Sequence, residues 1–397
     1  MLRKLIITKL NGQVVTAVLE NHEIVEIHGS QKETAEGGYA LGNVYIGRVK
    51  NIVPNIDAAF VEIAKGVECY YDLSKNPNPV FTNKIGKKPL CIGDELIVQI
   101  QKEAVKTKKP TVTSTVNFTG KYAVLTAGDT RIGVSGKIPA KRRKELHTYA
   151  DSYKNDTYGL IIRTNAKDLS NEELDGEISL LIHEYEQLVE TAVSRICFTC
   201  LKSAPKPYLV DLANIYQEGL TEIIIENDEL YEEAAEFLTK HQPEDLGKLV
   251  HYQDPLLPLH KLYSIEHVIE QALKERVWMK SGAYLVIQPT EALTVIDVNT
   301  GKCVSKKNAQ ENYKKINLEA AREAAKQIRL RNLSGIIVID FINMEDDGDI
   351  QEMLDEFRRM LSKDPVQTVL VDMTRLQLVE VTRKKVRRPL KECVCML

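Results

Sequence analysis

The sequence predicts an α+β protein of several domains, and three observations support that fold class. The chain has 397 residues, more than one hydrophobic core normally organises. Its first third reads as short strands separated by Gly, Pro and Asn, which is typical of antiparallel sheets and small barrels. Its last third alternates apolar strands with amphipathic helices, which is the pattern of β-α-β units.

The composition is that of a globular protein of the cytoplasm. The chain is 43% hydrophobic and 27% charged, and it has no apolar run long enough to span a membrane. The apolar part of residues 1–10 is too short for a signal-peptide core, so we expect no export. Seven cysteines scattered over the chain suit reduced thiols better than a disulfide framework. We therefore expect a cytoplasmic protein with no membrane span.

Local positive charge leaves a nucleic-acid partner open. The net charge of −3 argues neither for nor against one, because a binding face needs only a local cluster of Lys and Arg. Each cluster alone is also typical of a solvated surface. Three clusters occur: Lys102, Lys106, Lys108 and Lys109; residues 141–144; and Arg383, Lys384, Lys385, Arg387 and Arg388.

The N-terminal residues predict a strand meander followed by a β-barrel. The meander covers residues 5–27, with hairpin signals at Asn11-Gly12 and Asn21-His22. Residues 42–115 contain shorter strands broken by Gly, Pro and Asn. That texture is the signature of a small barrel.

The middle of the chain predicts helices. Helical periodicity covers residues 171–203, 228–240 and 265–280. Cys197 and Cys200 fall in the first of these segments as a C-x-x-C pair. Because residues at i and i+3 share one face of a helix, we expect buried thiols rather than a metal site.

The last third brings two acids to one edge of a predicted sheet. Apolar strands at residues 292–297 and 334–340 are joined by a helix at 317–331, so they should be parallel neighbours with a right-handed crossover. Asp297 and Asp340 then lie at the carboxyl ends of these strands, where ligands collect in such sheets. A helix at 350–361 and a strand at 367–372 continue the pattern.

Paired carboxylates at this edge predict a magnesium site. Neighbouring strands lie about 4.8 Å apart, so Asp297 and Asp340 can share one divalent cation, and few oxygen ligands with open positions suit Mg²⁺. The chemistry implied is phosphodiester hydrolysis. Asn299 shares the strand face of Asp297 and could orient a phosphate or water. The alternative is that each acid only caps the element after its strand, and Asp372 is a weaker third candidate.

These segments resemble the catalytic half of the ribonuclease E/G family. The resemblance is carried by residues 292–299, the helix from Asn317 to Arg331 and residues 335–344, in the family's order and spacing. It extends over nearly the whole chain and is weaker between about 140 and 281. It implies that Asp297 and Asp340 bind the catalytic Mg²⁺ and that Asn299 assists.

The resemblance also implies a domain arrangement. An RNase H-like unit is interrupted by an OB-fold RNA-binding domain and a 5′-sensor domain, and a DNase I-like α/β catalytic domain follows. In this sequence the boundaries fall at 1–39 and 208–276 for the RNase H-like unit, 40–117 for the OB fold, 118–207 for the sensor and 277–397 for the catalytic domain.

Further site residues follow from the resemblance. In the barrel, Phe60, Tyr70 and Lys108 match RNA-contacting positions, and stacking on aromatics beside a basic groove is how such barrels bind single strands. The alternative for Phe60 is the barrel core, since inward residues fill small barrels. In the sensor, Arg163 and Thr164 match residues that recognise a 5′-monophosphate, supported by Gly120 and Val124, and an Arg fork can bind a phosphate bidentately.

The chain departs from the family pattern at its C-terminal residues. Family members usually continue into a zinc link between protomers and a small oligomerising domain. Here Cys393 and Cys395 have a different spacing, so shared Zn²⁺ and a homodimer are left open. Leu376-Gln377 stands where the family typically has glycine, and the neighbouring Arg375 and Arg383 are candidate phosphate contacts.

The expectation is therefore a Mg²⁺-dependent endoribonuclease that cleaves single-stranded RNA to 5′-phosphate and 3′-hydroxyl ends, in rRNA maturation or mRNA decay. One rival is a non-catalytic RNA-binding protein that has lost turnover. Retention of both acids and of Asn299 counts against it. A second rival is a metal phosphatase on a similar sheet, which would need no OB barrel.

Overall fold

The chain divides into two compact units, one of residues 1–32 and 215–397 and the other of residues 33–214. The computed structural model describes residues 2–29, 39–84, 89–102, 104, 109–215, 218–301 and 309–394. None of the helices in these ranges combines the length and the hydropathy that a membrane crossing requires.

The strands are numbered in chain order. The first eleven are β1 (Arg3–Leu10), β2 (Gln13–Glu20), β3 (Glu23–Gly29), β4 (Val44–Val53), β5 (Ala58–Ala64), β6 (Val67–Asp72), β7 (Glu95–Lys102), β8 (Thr111–Thr113), β9 (Asn117–Thr119), β10 (Ala123–Ala127) and β11 (Ile132–Val134). The others are β12 (Tyr158–Ile162), β13 (Cys200–Lys202), β14 (Leu220–Ile225), β15 (Leu249–His251), β16 (Arg276–Trp278), β17 (Tyr284–Pro289), β18 (Leu293–Asn299), β19 (Gly335–Asp340), β20 (Thr368–Met373) and β21 (Leu378–Arg383).

The helices are numbered in the same way. They are α1 (Ala140–Ala150), α2 (Asn171–Val193), α3 (Pro207–Asn214), α4 (Asp228–His241), α5 (Leu259–Leu262), α6 (Ile265–Leu273), α7 (Ala309–Leu330), α8 (Asp347–Leu361) and α9 (Leu390–Val394).

The first unit opens with the predicted meander. Strands β1, β2 and β3 are antiparallel, and β14 and β15 extend the sheet in parallel on the other side of β1, in the order β15-β14-β1-β2-β3. Both hairpin turns hold two residues at positive φ, Asn11 and Gly12 at 49° and 79° and Asn21 and His22 at 47° and 71°. That geometry matches the twist of the flanking strands and confirms the turn predictions.

The second sheet of this unit carries the two candidate acids. Its order is β16-β17-β18-β19-β21-β20, and β18 and β19 are parallel as the β-α-β pattern predicts. One face packs against α7 and α8, because alternate residues such as Ile296 and Ile339 are fully buried with Ala320 and Phe357. The other face is lined by partly exposed side chains.

Buried ion pairs connect α7 to the meander. Arg329 on α7 pairs with Glu20 at 2.9 Å and Glu26 at 2.6 Å, and Arg3 pairs with Glu20 at 2.6 Å. The side chains of Arg3, Glu20 and Arg329 are each no more than 10% exposed. Burial opposes the ionisation of Glu20, but the hydrogen bonds and charges of Arg329 and Arg3 outweigh it and hold the pKa of Glu20 below its ordinary value.

Replacing Glu20 with Gln should lower the free energy of unfolding by about 1.5–3 kcal/mol near neutral pH. A lowered folded-state pKa stabilises the fold above the unfolded value and loses that contribution as the pH falls through the folded value. The difference from wild type should therefore shrink below about pH 4.5, the ordinary glutamate pKa. Urea unfolding at several pH values measures it. Glu229→Gln, which removes a partner from the exposed pair with Lys9, is the control and should change stability by less than about 1 kcal/mol.

The second unit contains a closed five-stranded barrel. The strands follow the order β4-β5-β6-β8-β7, and β7 pairs back with β4 to close the ring. Alternate residues fill its interior, among them Ala59, Val61, Ile63, Cys69 and Tyr71. This confirms the OB-like barrel and the mixed α+β class. The finer assignment to RNase H-like, 5′-sensor and DNase I-like domains, with its boundaries, stays a prediction.

A four-stranded sheet completes the second unit. Its order is β11-β12-β10-β9, and α2 covers one face with Leu174, Ile178 and Leu181. Ser170 caps α2 by accepting from the backbone nitrogen of Glu173, whose side chain in turn accepts from the Ser170 nitrogen. This capping box explains why the helix begins at Asn171.

Two helix predictions were too long. Helix α2 ends at Val193 rather than Ser203, so Cys197 lies in a loop and Cys200 lies in β13, where it is exposed. Cys197 is half-buried, and burial raises its pKa to about 11. The segment 265–280 is also not one helix, because α6 ends at Leu273 and β16 pairs with β17. Strand β13 depends on its pairing with the distant β4, and β16 depends on its hairpin with β17, rather than on local periodicity.

Candidate functional site

Asp297 and Asp340 lie side by side at one edge of the second sheet. They are direct register partners on the parallel strands β18 and β19, which are spaced by about 4.8 Å. Their neighbours in sequence, Ile296, Val298 and Ile339, are buried against the helices. Because successive strand residues point to opposite faces, both carboxylates lie on the face away from α7 and α8.

Asn299 joins the pair, as its position two residues beyond Asp297 predicts. Its Nδ2 donates a hydrogen bond to Oδ2 of Asp297 at 2.6 Å. Both side chains are half-buried. The bond fixes the orientation of the Asp297 carboxylate.

The negative charge of Asp297 affects the ionisation of Asp340. Partial burial raises the pKa of Asp340 above its ordinary value, and the negative charge of Asp297 raises it further. Like charges this close resist joint ionisation. A divalent cation between them would remove that conflict.

The residues present fit a Mg²⁺ ion. Two carboxylates at one height, with an amide beside them, are hard oxygen ligands that leave positions for water and substrate, which is how Mg²⁺ is usually bound. Within the described ranges no third His, Cys, Asp or Glu joins them in a cluster that could hold a metal. Oxygen atoms of Asn299, of water or of the substrate could complete the coordination of a cation held here.

Asp372 is not part of this site. It lies on the edge strand β20, and β21 separates that strand from β19. Asp372 also pairs with Glu380, whereas Asp340 pairs with Leu378. Two strand spacings, about 10 Å, place it outside a shared coordination sphere.

Sequence reasoning missed the residue that fixes the loop after Asp340. Asn317 is fully buried on α7, where it donates to the carbonyl of Ile342 at 2.7 Å and accepts from the Ile342 nitrogen at 3.1 Å. This two-way bond anchors the backbone two residues beyond Asp340. The signal was an Asn on the apolar side of an amphipathic helix.

The zinc candidates receive no support. Cys393 is half-buried on α9, and burial raises the pKa of its thiol, which disfavours the thiolate that binds metals. Cys395 lies outside the described residues. A bound zinc ion stays a prediction.

The barrel presents an aromatic pair on its outer face. Phe60 and Tyr70 are register partners on β5 and β6, with ring centroids 6.4 Å apart in an edge-to-face arrangement. Nζ of Lys109 lies 4.8 Å from the centre of the Phe60 ring. Because Ala59, Val61 and the other odd-numbered residues of β5 fill the interior, the barrel-core alternative for Phe60 is wrong. Lys108 lies outside the described residues.

Replacing Phe60 with Ala should weaken binding of single-stranded RNA by about 1–3 kcal/mol, the usual contribution of one stacked base. Fluorescence anisotropy with a labelled oligoribonucleotide measures it. Ile56→Ala is the matched control, because Ile56 is also exposed and apolar, at 58%, but it has no ring. An equal loss in both variants would contradict stacking on Phe60.

The sensor candidates converge around Arg163. Its Nη1 donates to the carbonyl of Gly120 and its Nη2 to Oδ1 of Asn214, both at 2.5 Å. Thr164 shares a hydrogen bond of 2.8 Å with Ser135. Val124 is half-buried on β10, between the strands that hold Thr119 and Ile161. The structure thus brings Arg163 to Gly120 and fixes the plane of its guanidinium group.

Glu177 supports this cluster, and the sequence analysis did not predict its role. Its carboxylate accepts from the backbone nitrogens of Lys121, Tyr122 and Ala123 at 2.7–2.9 Å. Burial raises the pKa of Glu177, and burial lowers the pKa of Arg163. A side chain at Gly120 would displace the Glu177 carboxylate from its three backbone partners, since its Cβ would lie 2.4 Å from Oε1 of Glu177.

Two of the basic clusters contribute structural cations. Arg383 is only 4% exposed and is bonded to Asp364 at 2.7 Å, so the suggestion that it contacts phosphate is wrong. Arg142 donates to the carbonyls of Lys167 and Leu169 at 3.0 and 2.6 Å. In both cases the positive charge holds the protein's own backbone or carboxylates.

A carboxylate pair that can hold a metal ion suits the hydrolysis of phosphodiesters, and OB folds bind oligonucleotides, so the two features together point to the class of nucleic-acid hydrolases. The profile of the Ribonuclease E/G family matches residues 117–386. Ribonuclease G of Salmonella typhimurium is 31% identical across 100% of this chain and 82% of that protein. Ribonuclease G of Escherichia coli is 30% identical over the same shares. Ribonuclease E of Nostoc sp. is 30% identical across 93% of this chain and 55% of its own length.

The chain belongs to the ribonuclease E/G family. Asp297, Asn299, Asp340, Gly120, Val124, Arg163 and Thr164 all lie inside the matched range, whereas Phe60 and Tyr70 lie before it. The membership agrees with the resemblance drawn from residues 292–344.

Proposed function

We propose that this protein is an endoribonuclease that hydrolyses single-stranded RNA with Mg²⁺ and leaves 5′-phosphate and 3′-hydroxyl ends. The observation that carries the proposal is the register pairing of Asp297 with Asp340. Family membership and relatives named Ribonuclease G and Ribonuclease E support the choice of RNA as substrate. We place its activity in rRNA maturation or mRNA decay, in the cytoplasm.

Each residue of the site would have a distinct role. Asp297 and Asp340 would hold the cation, and Asn299 would keep Asp297 oriented toward it through their 2.6 Å bond. The cation, when bound, supplies charge stabilisation at the phosphodiester and eases ionisation of the attacking water. Asn317 would hold the loop beyond Asp340 in place, so that the two carboxylates keep their spacing.

The second unit would contribute two groups of RNA-binding residues. Phe60 and Tyr70 would stack bases, and Lys109 above Phe60 would meet the phosphate backbone. Arg163 and Thr164 would recognise a 5′-monophosphate, with Gly120 and Val124 as their support. Lys108 is assigned to RNA contact by resemblance alone.

The experiment is cleavage of an internally labelled single-stranded RNA by the purified protein, with Mg²⁺ and with EDTA. The RNA is supplied with a 5′-monophosphate or a 5′-hydroxyl, and product ends are mapped with end-specific enzymes. We expect internal cuts that require Mg²⁺, carry 5′-phosphates and are faster on the monophosphorylated RNA. RNA that is bound but never cut would favour the non-catalytic rival, and hydrolysis of a small phosphomonoester alone would favour the phosphatase.

A further inference from the structure

An exposed cation and two aromatic rings lie on the same sheet face as the catalytic pair. Arg276 on β16 is the register partner of Val286, and Val286 is the partner of Asp297. Trp278 is likewise the partner of Tyr284, and Tyr284 is the partner of Asn299. Register partners point to the same side of a sheet, so two adjacent rows run from β16 to the catalytic residues.

The three side chains are arranged as one cluster. The rings of Trp278 and Tyr284 have centroids 4.9 Å apart. The guanidinium carbon of Arg276 lies 4.5 Å from the Tyr284 centroid and 5.8 Å from that of Trp278. Arg276 is exposed, and Trp278 is 62% exposed. Among the described residues, no carboxylate forms an ion pair with Arg276.

Trp278 presents a large aromatic surface to solvent, whereas such side chains are highly buried on average. A base can stack on its ring, and an Arg guanidinium binds phosphate in a planar, bidentate way. A guanidinium held by two rings is also pre-positioned, so it loses less freedom on binding. Together these are the groups that bind one nucleotide of a single strand.

The cluster lies within reach of the reaction. Strand β16 is two strand spacings from β18, about 10 Å. A nucleotide bound there would lie on the same sheet face as the scissile phosphate at Asp297 and Asp340, with only β17 between the two strands.

We propose that Arg276, Trp278 and Tyr284 form a nucleotide-binding subsite that holds the single-stranded RNA beside the scissile phosphate. The base stacks on Trp278, and its phosphate binds Arg276. This subsite rests on the proposed function, since it positions the substrate of that reaction.

The chain offers a direct probe, because Trp278 is its only tryptophan. Intrinsic fluorescence, excited selectively at tryptophan, is recorded in the slowly cleaving Asp340→Asn protein while an oligoribonucleotide is added. We expect quenching that saturates together with binding measured by anisotropy. RNA that binds without quenching overturns the subsite. Inorganic polyphosphate has no bases, so quenching by polyphosphate equal to that by RNA would overturn the stacking of a base on Trp278.

Variants test the contribution of each side chain. In the same background Trp278→Leu should weaken RNA binding about tenfold, whereas Trp278→Phe should retain most of it. Arg276→Gln should lower the slope of log K against log salt by about 0.7, the value for one phosphate contact on a single strand. Arg358→Gln is the control, because Arg358 lies on α8 and pairs with Asp355. Thermal melting verifies that each variant is folded.

Cleavage assays separate the two proposals. For these assays Trp278→Leu and Arg276→Gln are made in the protein that retains Asp340. If wild type cuts RNA and both variants have an unchanged KM, the subsite is wrong and the proposed function stands. If wild type binds RNA with tryptophan quenching but never cuts it, the proposed function is wrong and the subsite stands. A raised KM with kcat retained is the result we expect.

Discussion

Replacing Asp340 with Asn should lower the rate of RNA cleavage by about 10²–10³-fold, with RNA binding retained, and Asp297→Asn should do the same. Asn keeps the size and polarity of the side chain but removes one of the two negative charges that would hold the cation. The two carboxylates are register partners on neighbouring parallel strands, so neither can replace the other.

Asp372→Asn is the matched control for this prediction. It makes the same chemical change at the end of a strand of the same sheet, but β21 lies between Asp372 and the pair. Single-turnover cleavage at saturating Mg²⁺ and anisotropy with the same RNA measure rate and binding separately. An equal loss in all three variants would mean that the acids act through stability or net charge rather than through a shared cation.

The pairing of the two carboxylates could be predicted because it depends on local pattern. An apolar run, an amphipathic helix and a second apolar run define parallel neighbours, and the strand ends then bring Asp297 and Asp340 together. Asn299 follows from the two-residue period of a strand. The prediction of all three positions required only the order of strands and helices along the chain.

Other parts of the site could not be predicted because they depend on distant contacts. Glu177 lies 54 positions from Ala123 in sequence, and Asn214 lies 51 positions from Arg163, so no local signal connects them. Whether Phe60 points into or out of the barrel could not be predicted for a similar reason. Alternation along β5 shows that either the odd- or the even-numbered residues point inward, but it does not show which. Strand β16 has three residues, too few for a periodic signal.

Arg383 shows that positive charge in a sequence does not by itself identify a phosphate contact. It belongs to a basic run at residues 383–388, yet its side chain is 3% exposed. Its Nη1 donates to Oδ1 of Asn332 at 2.5 Å and to the carbonyl of Leu333 at 3.1 Å, while Nε bonds to Asp364. The sequence of an Arg-rich segment does not distinguish a phosphate contact from a cation that joins β21 to the preceding loops.

Arg383→Ala should lower the free energy of unfolding by about 3–5 kcal/mol, because it leaves the Asp364 carboxylate buried without its counter-charge. Asp364 is itself 4% exposed, so water cannot readily replace the guanidinium. Arg383→Lys should lose less, since it keeps the charge but not the forked geometry. Arg358→Ala, which breaks an exposed pair with Asp355, should lose less than about 1 kcal/mol.

Urea unfolding measures the stabilities of these variants, and RNA binding by Arg383→Lys as a function of salt tests the alternative role. A phosphate contact would be seen as a change in the salt dependence of binding, whereas a structural cation leaves that slope unchanged in protein that remains folded. We expect the unchanged slope together with the lower stability. A normal stability combined with a smaller slope would return Arg383 to the RNA-binding surface and would require its pair with Asp364 to open in solution.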